Sequence, residues 1–189
     1  MSVLLYTIVA EKKETSKMKS TTKKIAITAL MAALTCIATI IIKIPSPLKG
    51  YLNLGDCMVL ISGWILSPVY GFIAAGLSSA LADIFSGYVI YAPATFVIKG
   101  LMAITAYYCF KLLARSLWNL PSRIISGILA EIVMVSGYLI FEGILYGFVP
   151  SLVNVIPNCI QGVAGIIIGV VLIKVLQKPL SNYLDNIND

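Results

Sequence analysis

The stretch Gly50–Gly100, GYLNLGDCMVLISGWILSPVYGFIAAGLSSALADIFSGYVIYAPATFVIKG, decides the fold. It alternates long apolar runs with a few polar residues, and its glycines and prolines mark where the chain turns. Asp83 and Lys99 sit inside the apolar runs. An ionised side chain at a bilayer centre costs roughly 2.5–3.5 kcal/mol on insertion scales, so each needs a partner, a wet cavity or a ligand.

The whole chain shares this character. Of its 189 residues 59% are hydrophobic and only 12% charged, too apolar for an ordinary soluble domain and long enough for several membrane spans. The formal charge of +6 does not argue for a nucleic-acid partner, because the basic residues gather outside the apolar runs, where they act as topology signals. Cys36, Cys57, Cys109 and Cys159 are scattered singly, without CxxC spacing, and the sequence has no histidine. Metal sites are thus poorly supplied with ligands, and the cysteines read as small packing residues. Cys57 and Cys159 both approach the same membrane face, where a disulfide is conceivable.

Hydropathy and breaker residues predict an all-α, multi-pass protein with spans at about 24–42, 55–66, 68–86, 93–113, 124–146 and 157–176. Pro68 and Pro157 are placed to open helices, and Lys43–Leu54, with two prolines and a glycine, reads as a loop able to fold over a cavity. Residues 1–22 and 179–189 read as mobile tails flanking a membrane domain at 23–178. The start of the chain is ambiguous, since Met18 leads more naturally than Met1 into the first span. Lys12, Lys13, Lys17, Lys19, Lys23, Lys24, Lys111, Arg115, Arg123, Lys174 and Lys178 all fall on one side of a six-span layout. That side is predicted to be cytoplasmic, with both termini inside and the loops near 43–54, 87–92 and 147–156 outside the cell membrane.

A helical rise of about 1.5 Å per residue brings Asp83, Lys99, Glu142, Asn158 and Gln161, from four helices, to one level in the outer half. Asn158 and Gln161 share a helix face, with Asn154 before them, and amides offer donors and acceptors suited to the edge of a heterocycle. Tyr88, Tyr91, Phe96, Tyr138 and Tyr146 lie at similar depth, either as ring-stacking walls or as an interfacial aromatic belt. Lys99 is expected to pair with Asp83 or Glu142, Asp56 to cap the second helix and complement its dipole, and Glu131 has no assignable partner. If Asp83, Glu142 and Lys99 share the cavity, its net charge is negative and a neutral or weakly cationic ligand is favoured over a phosphorylated one. Ala29 and Ala33, four apart on the first helix, form a small-xxx-small seam fit for close packing, inside the protein or against another subunit.

Five runs carry a family resemblance over about half the chain: Tyr51-Leu-Asn-Leu-Gly-Asp56, Leu66-Ser-Pro68, Ser79-Ala-Leu-Ala-Asp83, Tyr91-Ala-Pro-Ala-Thr-Phe96 and Ile98-Lys-Gly-Leu101. Together they resemble the substrate-binding S components of energy-coupling factor (ECF) vitamin transporters, most closely the riboflavin and hydroxymethylpyrimidine branch. The resemblance implies capture of a vitamin or vitamin precursor, for which the binding residues expected in this chain are Asn53, Asp83, Tyr91, Lys99, Glu142, Asn158 and Gln161. It also implies a complex with a transmembrane coupling subunit and two ATPase subunits, the Ala29/Ala33 seam facing the coupling subunit, and no cofactor. Without histidine, HExxH or a cysteine beside a base an enzyme is hard to support, and without a GxxxxGK[ST] loop the polypeptide cannot itself use ATP. The competing expectation is a self-sufficient ion-coupled secondary transporter built on Asp83, Glu131 and Glu142, although no repeated halves are evident.

Overall fold

A helix that is apolar on every side must be buried on every side. Gly55–Ile65, GDCMVLISGWI, is such a helix, and its residues Gly55 through Trp64 are all buried. The computed structural model describes residues 2–188, with side chains described over 21–175. Apart from Thr21 and Thr22, the tails expected at 1–22 and the residues at 179–189 lie outside the described side chains.

The elements in chain order are α1 (Ser2–Ile41), β1 (Lys43–Pro45), β2 (Tyr51–Asn53), α2 (Gly55–Ile65), α3 (Pro68–Phe85), α4 (Ala92–Leu113), α5 (Asn119–Tyr146), α6 (Phe148–Ser151), a 3-10 turn at Leu152–Asn154, and α7 (Val155–Asn188). Helix α2 packs against α1, α3, α4 and α7, while α1–α3, α3–α4, α4–α5 and α5–α7 neighbour one another. The five long helices thus form an arc around the short one. Five helical stretches have the length and apolarity to cross a membrane, beginning with Thr21–Ile41 and ending with Phe148–Val175; α2 is the shorter sixth.

Its shortness has a geometric reason. At about 1.5 Å per residue α2 rises only about 16 Å against about 27 Å for α3. The extended residues of β2 add about 10 Å ahead of it, so strand and helix together match the length of α3. The loop expected at 43–54 is therefore partly ordered as a hairpin, with Lys43 opposite Asn53 and Pro45 opposite Tyr51. It closes through Ser46 N–H to Gly50 O at 3.1 Å, and Gly50 has a φ of 133°, a conformation that side chains disfavour. The loop expected at 147–156 is likewise wound, as α6 and the 3-10 turn, and all four cysteines are free.

Small residues let the helices meet backbone to backbone. A Cβ at Gly63 would stand 2.6 Å from the Ala103 carbonyl oxygen, and one at Gly76 would stand 2.5 Å from that of Phe96. By contrast Ala29 and Ala33 are exposed on α1, together with Leu30, Leu34 and Ile37. The opposite face of α1, with Ile27, Met31, Thr35 and Thr39, is the buried one.

One polar link crosses the core. Asp56, in the first turn of α2, forms an ion pair through Oδ1 with Lys99 Nζ of α4, and its Oδ2 accepts from Gln161 Nε2 of α7 at 2.7 Å. Asp56 is 0% and Lys99 2% exposed. This corrects two expectations: Lys99 pairs with neither Asp83 nor Glu142, and Asp56 does not cap α2, whose N-cap position is Leu54 without a side-chain cap bond; Asn53 Oδ1, one residue earlier, accepts from Gly55 N–H at 2.9 Å. Asp56 retains its place at the positive end of the α2 dipole.

Removing one partner of a buried pair leaves an uncompensated charge. Lys99→Met is therefore expected to destabilise the protein by about 3–5 kcal/mol. Adding Asp56→Asn should restore part of the loss. Thermal unfolding of the purified variants in detergent checks this, and an unchanged midpoint for Lys99→Met would show that the pair contributes nothing.

Candidate ligand-binding site

The hairpin end of the bundle encloses a polar cavity. Its wall takes Ser46, Gly50, Tyr51 and Asn53 from the hairpin, Asp83 from α3, Tyr88 and Tyr91 from the following turn, Thr95 from α4, Tyr138 and Glu142 from α5, and Asn154, Asn158 and Gln161 from the 3-10 turn and α7. Local chain geometry explains the placement of the turn residues. Helix α3 ends with Tyr88 N–H to Asp83 O at 2.8 Å and Gly87 N–H to Ile84 O at 3.1 Å, a Schellman closure that needs the positive φ of 84° at Gly87. It folds Tyr88 back over the helix end, where its ring lies 4.7 Å from that of Tyr51 and 6.3 Å from that of Tyr91.

Six of the seven expected binding residues, Asn53, Asp83, Tyr91, Glu142, Asn158 and Gln161, line this one cavity. Lys99 does not: it lies beneath, bound to Asp56, with its ammonium 5.5 Å from the Tyr138 ring centroid. Phe96 is also displaced from the expected wall and packs edge-on against Phe72 at 5.3 Å. Phe141, unnoticed in the sequence, supports Tyr91 at 5.3 Å. Glu131 lies deeper, 6% exposed, with neither carboxylate oxygen hydrogen-bonded. It faces Gly162 and Gly165, where added methyl groups would come within 3.1 Å of it.

Two amides bind the hairpin down in the same way. Gln161 accepts from Asn53 N–H at 2.8 Å and donates to Asp56. Asn154 accepts from Leu48 N–H at 3.4 Å and donates to Glu142 Oε1 at 2.9 Å. Each amide therefore joins a hairpin backbone donor to a buried carboxylate. Two tyrosines complete the closure: Tyr51 donates to Asp83 Oδ1 at 2.7 Å, and the Tyr91 hydroxyl donates to the Lys49 carbonyl and lies 3.3 Å from Glu142 Oε1. Burial, then the neighbouring Asp83, pushes the Tyr51 hydroxyl far above its ordinary range. Burial and Glu142 do the same for Tyr91. Both remain protonated donors at any physiological pH.

Asn154 and Asp56 join the polar network without being among the binding residues expected from sequence. Asn154 stands seven residues, two helical turns, before Gln161, a spacing that puts both on one face. Asp56 sits in the first turn of α2, where an acid reads from sequence as a dipole partner. Outside the closed cavity, a groove of about 430 Å³ runs between the hairpin and Gly87–Tyr91, bordered by Tyr146 and sharing Ser46, Gly50, Tyr88 and Tyr91 with the cavity wall.

Comparison with known proteins gives this architecture its relatives. The family model described as "ECF-type riboflavin transporter, S component" matches residues 19–178. An uncharacterised protein of Pyrococcus woesei is 33% identical over 150 residues, covering 79% of this chain and 98% of its own length. Among solved structures, the S component of a bacterial ECF transporter superposes with a TM-score of 0.61 at 26% identity, covering 87% of this chain and 98% of the other. The crystal structure of an S component for biotin from an ECF-type ABC transporter gives 0.62 at 19% identity, covering 85% and 93%, a likeness of fold. The match over residues 19–178 shows that this chain, an integral membrane protein, belongs to the family of ECF-type riboflavin transporter S components.

Proposed function

We propose that this chain captures a small water-soluble vitamin or vitamin precursor at the outer membrane face, beneath the 43–53 hairpin. It then delivers the compound inward as the substrate-specific subunit of an ATP-driven importer, with a transmembrane coupling subunit and two ATPase subunits as partners. The observation that carries this reading is the cavity itself: polar and aromatic groups from the hairpin, α3, α4, α5 and α7 converge at one end of the bundle, under a hairpin held by side-chain latches. The lysines and arginines outside the apolar runs support cytoplasmic termini and an outward-facing hairpin.

Asn53, Asp83, Tyr91, Glu142, Asn158 and Gln161 would touch the ligand, and Lys99 would act from below by holding Asp56. The cavity under the hairpin has a volume of about 30 Å³, room for one or two waters, whereas a site for a drug-sized molecule occupies about 300–1,000 Å³. Ligand entry thus requires the hairpin to lift and join the cavity to the outer groove. The exposure of Ala29 and Ala33 favours the intersubunit role of their seam over internal packing.

Reconstituted with its coupling and ATPase subunits, the chain should support uptake that requires ATP. Ala33→Trp should prevent assembly while leaving folding and ligand binding intact. Uptake that persists without ATPase subunits and collapses with an ionophore would replace this function with ion-coupled transport.

Asn158 lines the cavity, and its side chain has no hydrogen-bond partner among the described residues. Asn158→Ala should therefore weaken ligand binding by about 1–3 kcal/mol and leave the unfolding temperature of the ligand-free protein unchanged. Titration calorimetry with the retained compound checks this, and an unaltered affinity would remove Asn158 from the site.

A further inference from the structure

Two carboxylates in the cavity wall each have one satisfied and one unsatisfied oxygen. Asp83 is 5% exposed; its Oδ1 accepts from Tyr51, and its Oδ2 has no partner. Glu142 is 3% exposed; its Oε1 accepts from Asn154 and lies within reach of the Tyr91 hydroxyl, and its Oε2 has no partner. A buried ionised group without a counter-charge is strongly penalised.

Among the described residues neither carboxylate has a cationic side chain in ion-pair contact. Lys99 is committed to Asp56 and does not line the cavity. The two lysines of the hairpin point elsewhere: Lys43 donates to Ser86 Oγ at 3.1 Å, and Lys49 lies 6.0 Å from the Tyr146 ring centroid. No cationic side chain is among the residues that line the cavity. Four tyrosines, Tyr51, Tyr88, Tyr91 and Tyr138, share the wall with the carboxylates, and the other lining residues are uncharged amides, hydroxyls and Gly50. Ring faces attract cations, and more strongly when water is excluded.

We infer that the ligand is an organic cation: a small ring compound carrying one positively charged nitrogen and at least one further N–H or O–H donor, seated among the tyrosines with its donors on Asp83 Oδ2 and Glu142 Oε2. This rests on the vitamin-capture function proposed above and narrows its substrate class. A neutral ligand would satisfy hydrogen bonds but not charge, and a phosphate ester would add repulsion.

The test uses the full chain in lipid nanodiscs and calorimetric titration with two cations, thiamine and pyridoxamine, and two neutral compounds, riboflavin and pyridoxine. Mass spectrometry identifies whatever compound the purified transporter complex retains. At least one cation should bind more tightly than both neutral probes by about a hundredfold or more, the scale expected for an uncompensated buried charge. Asp83→Asn and Glu142→Gln should each abolish that preference more than they weaken the neutral probes. A retained compound that is cationic supports the inference. A neutral probe binding as tightly as the best cation, a preference unchanged in both variants, or a retained neutral or anionic compound overturns it while leaving vitamin capture standing. Neither saturable binding nor a retained compound would overturn both.

Discussion

The ion pair between Asp56 and Lys99 is the interaction on which the arrangement of this protein depends. It lies at the start of a helix buried on all sides, and it joins α2 to α4 while Gln161 ties in α7. Apolar packing alone would leave α2 free to slide or rotate among its neighbours, since its surface is uniformly greasy. A charged contact in a low-dielectric interior has only one acceptable register. Fixing that register also sets the strand before it, because Asn53, whose side chain accepts from Gly55 N–H at the start of α2, is bonded through its own backbone N–H to Gln161.

The same logic is repeated one layer further out with weaker parts. Asn154 joins Leu48 N–H to Glu142 as Gln161 joins Asn53 N–H to Asp56. An amide suits this task because it donates and accepts at once without adding charge. The consequence is that the hairpin and the carboxylates share their polar partners. A ligand that claims either amide must loosen the hairpin, and a hairpin that lifts exposes acceptors that a ligand can use.

Much of this was legible in the sequence. The helices follow from hydropathy and from Pro68, Pro93 and Pro157, and the convergence of Asp83, Glu142, Asn158 and Gln161 follows from helical rise alone. What failed was pairing. Rise gives depth but not rotation about the helix axis, so Lys99 was matched to carboxylates at its own level rather than to Asp56, which the descending strand carries deeper. The hairpin was invisible for a related reason: three-residue strands interrupted by prolines carry no alternation to detect. Phe96 illustrates the limit from the other side, because an aromatic at the right depth turned out to fill the space beside Gly76 instead of the cavity.

The energetics of opening follow from these contacts. The hairpin is held by the bonds of Leu48, Asn53, Tyr51 and the Lys49 carbonyl, each of a kind worth about 0.5–1.5 kcal/mol net, somewhat more where a carboxylate accepts. Their loss would cost several kcal/mol if nothing replaced them. It would also leave Asp83 without the Tyr51 hydroxyl, and Gln161 and Asn154 without the hairpin N–H groups they accept from. A ligand that bonds the same groups offsets most of this cost, whereas water entering an open cavity does so less well beside apolar walls. The empty site is therefore expected to stay closed and the occupied one to hold the hairpin by new bonds, which makes ligand recognition and hairpin position a single equilibrium.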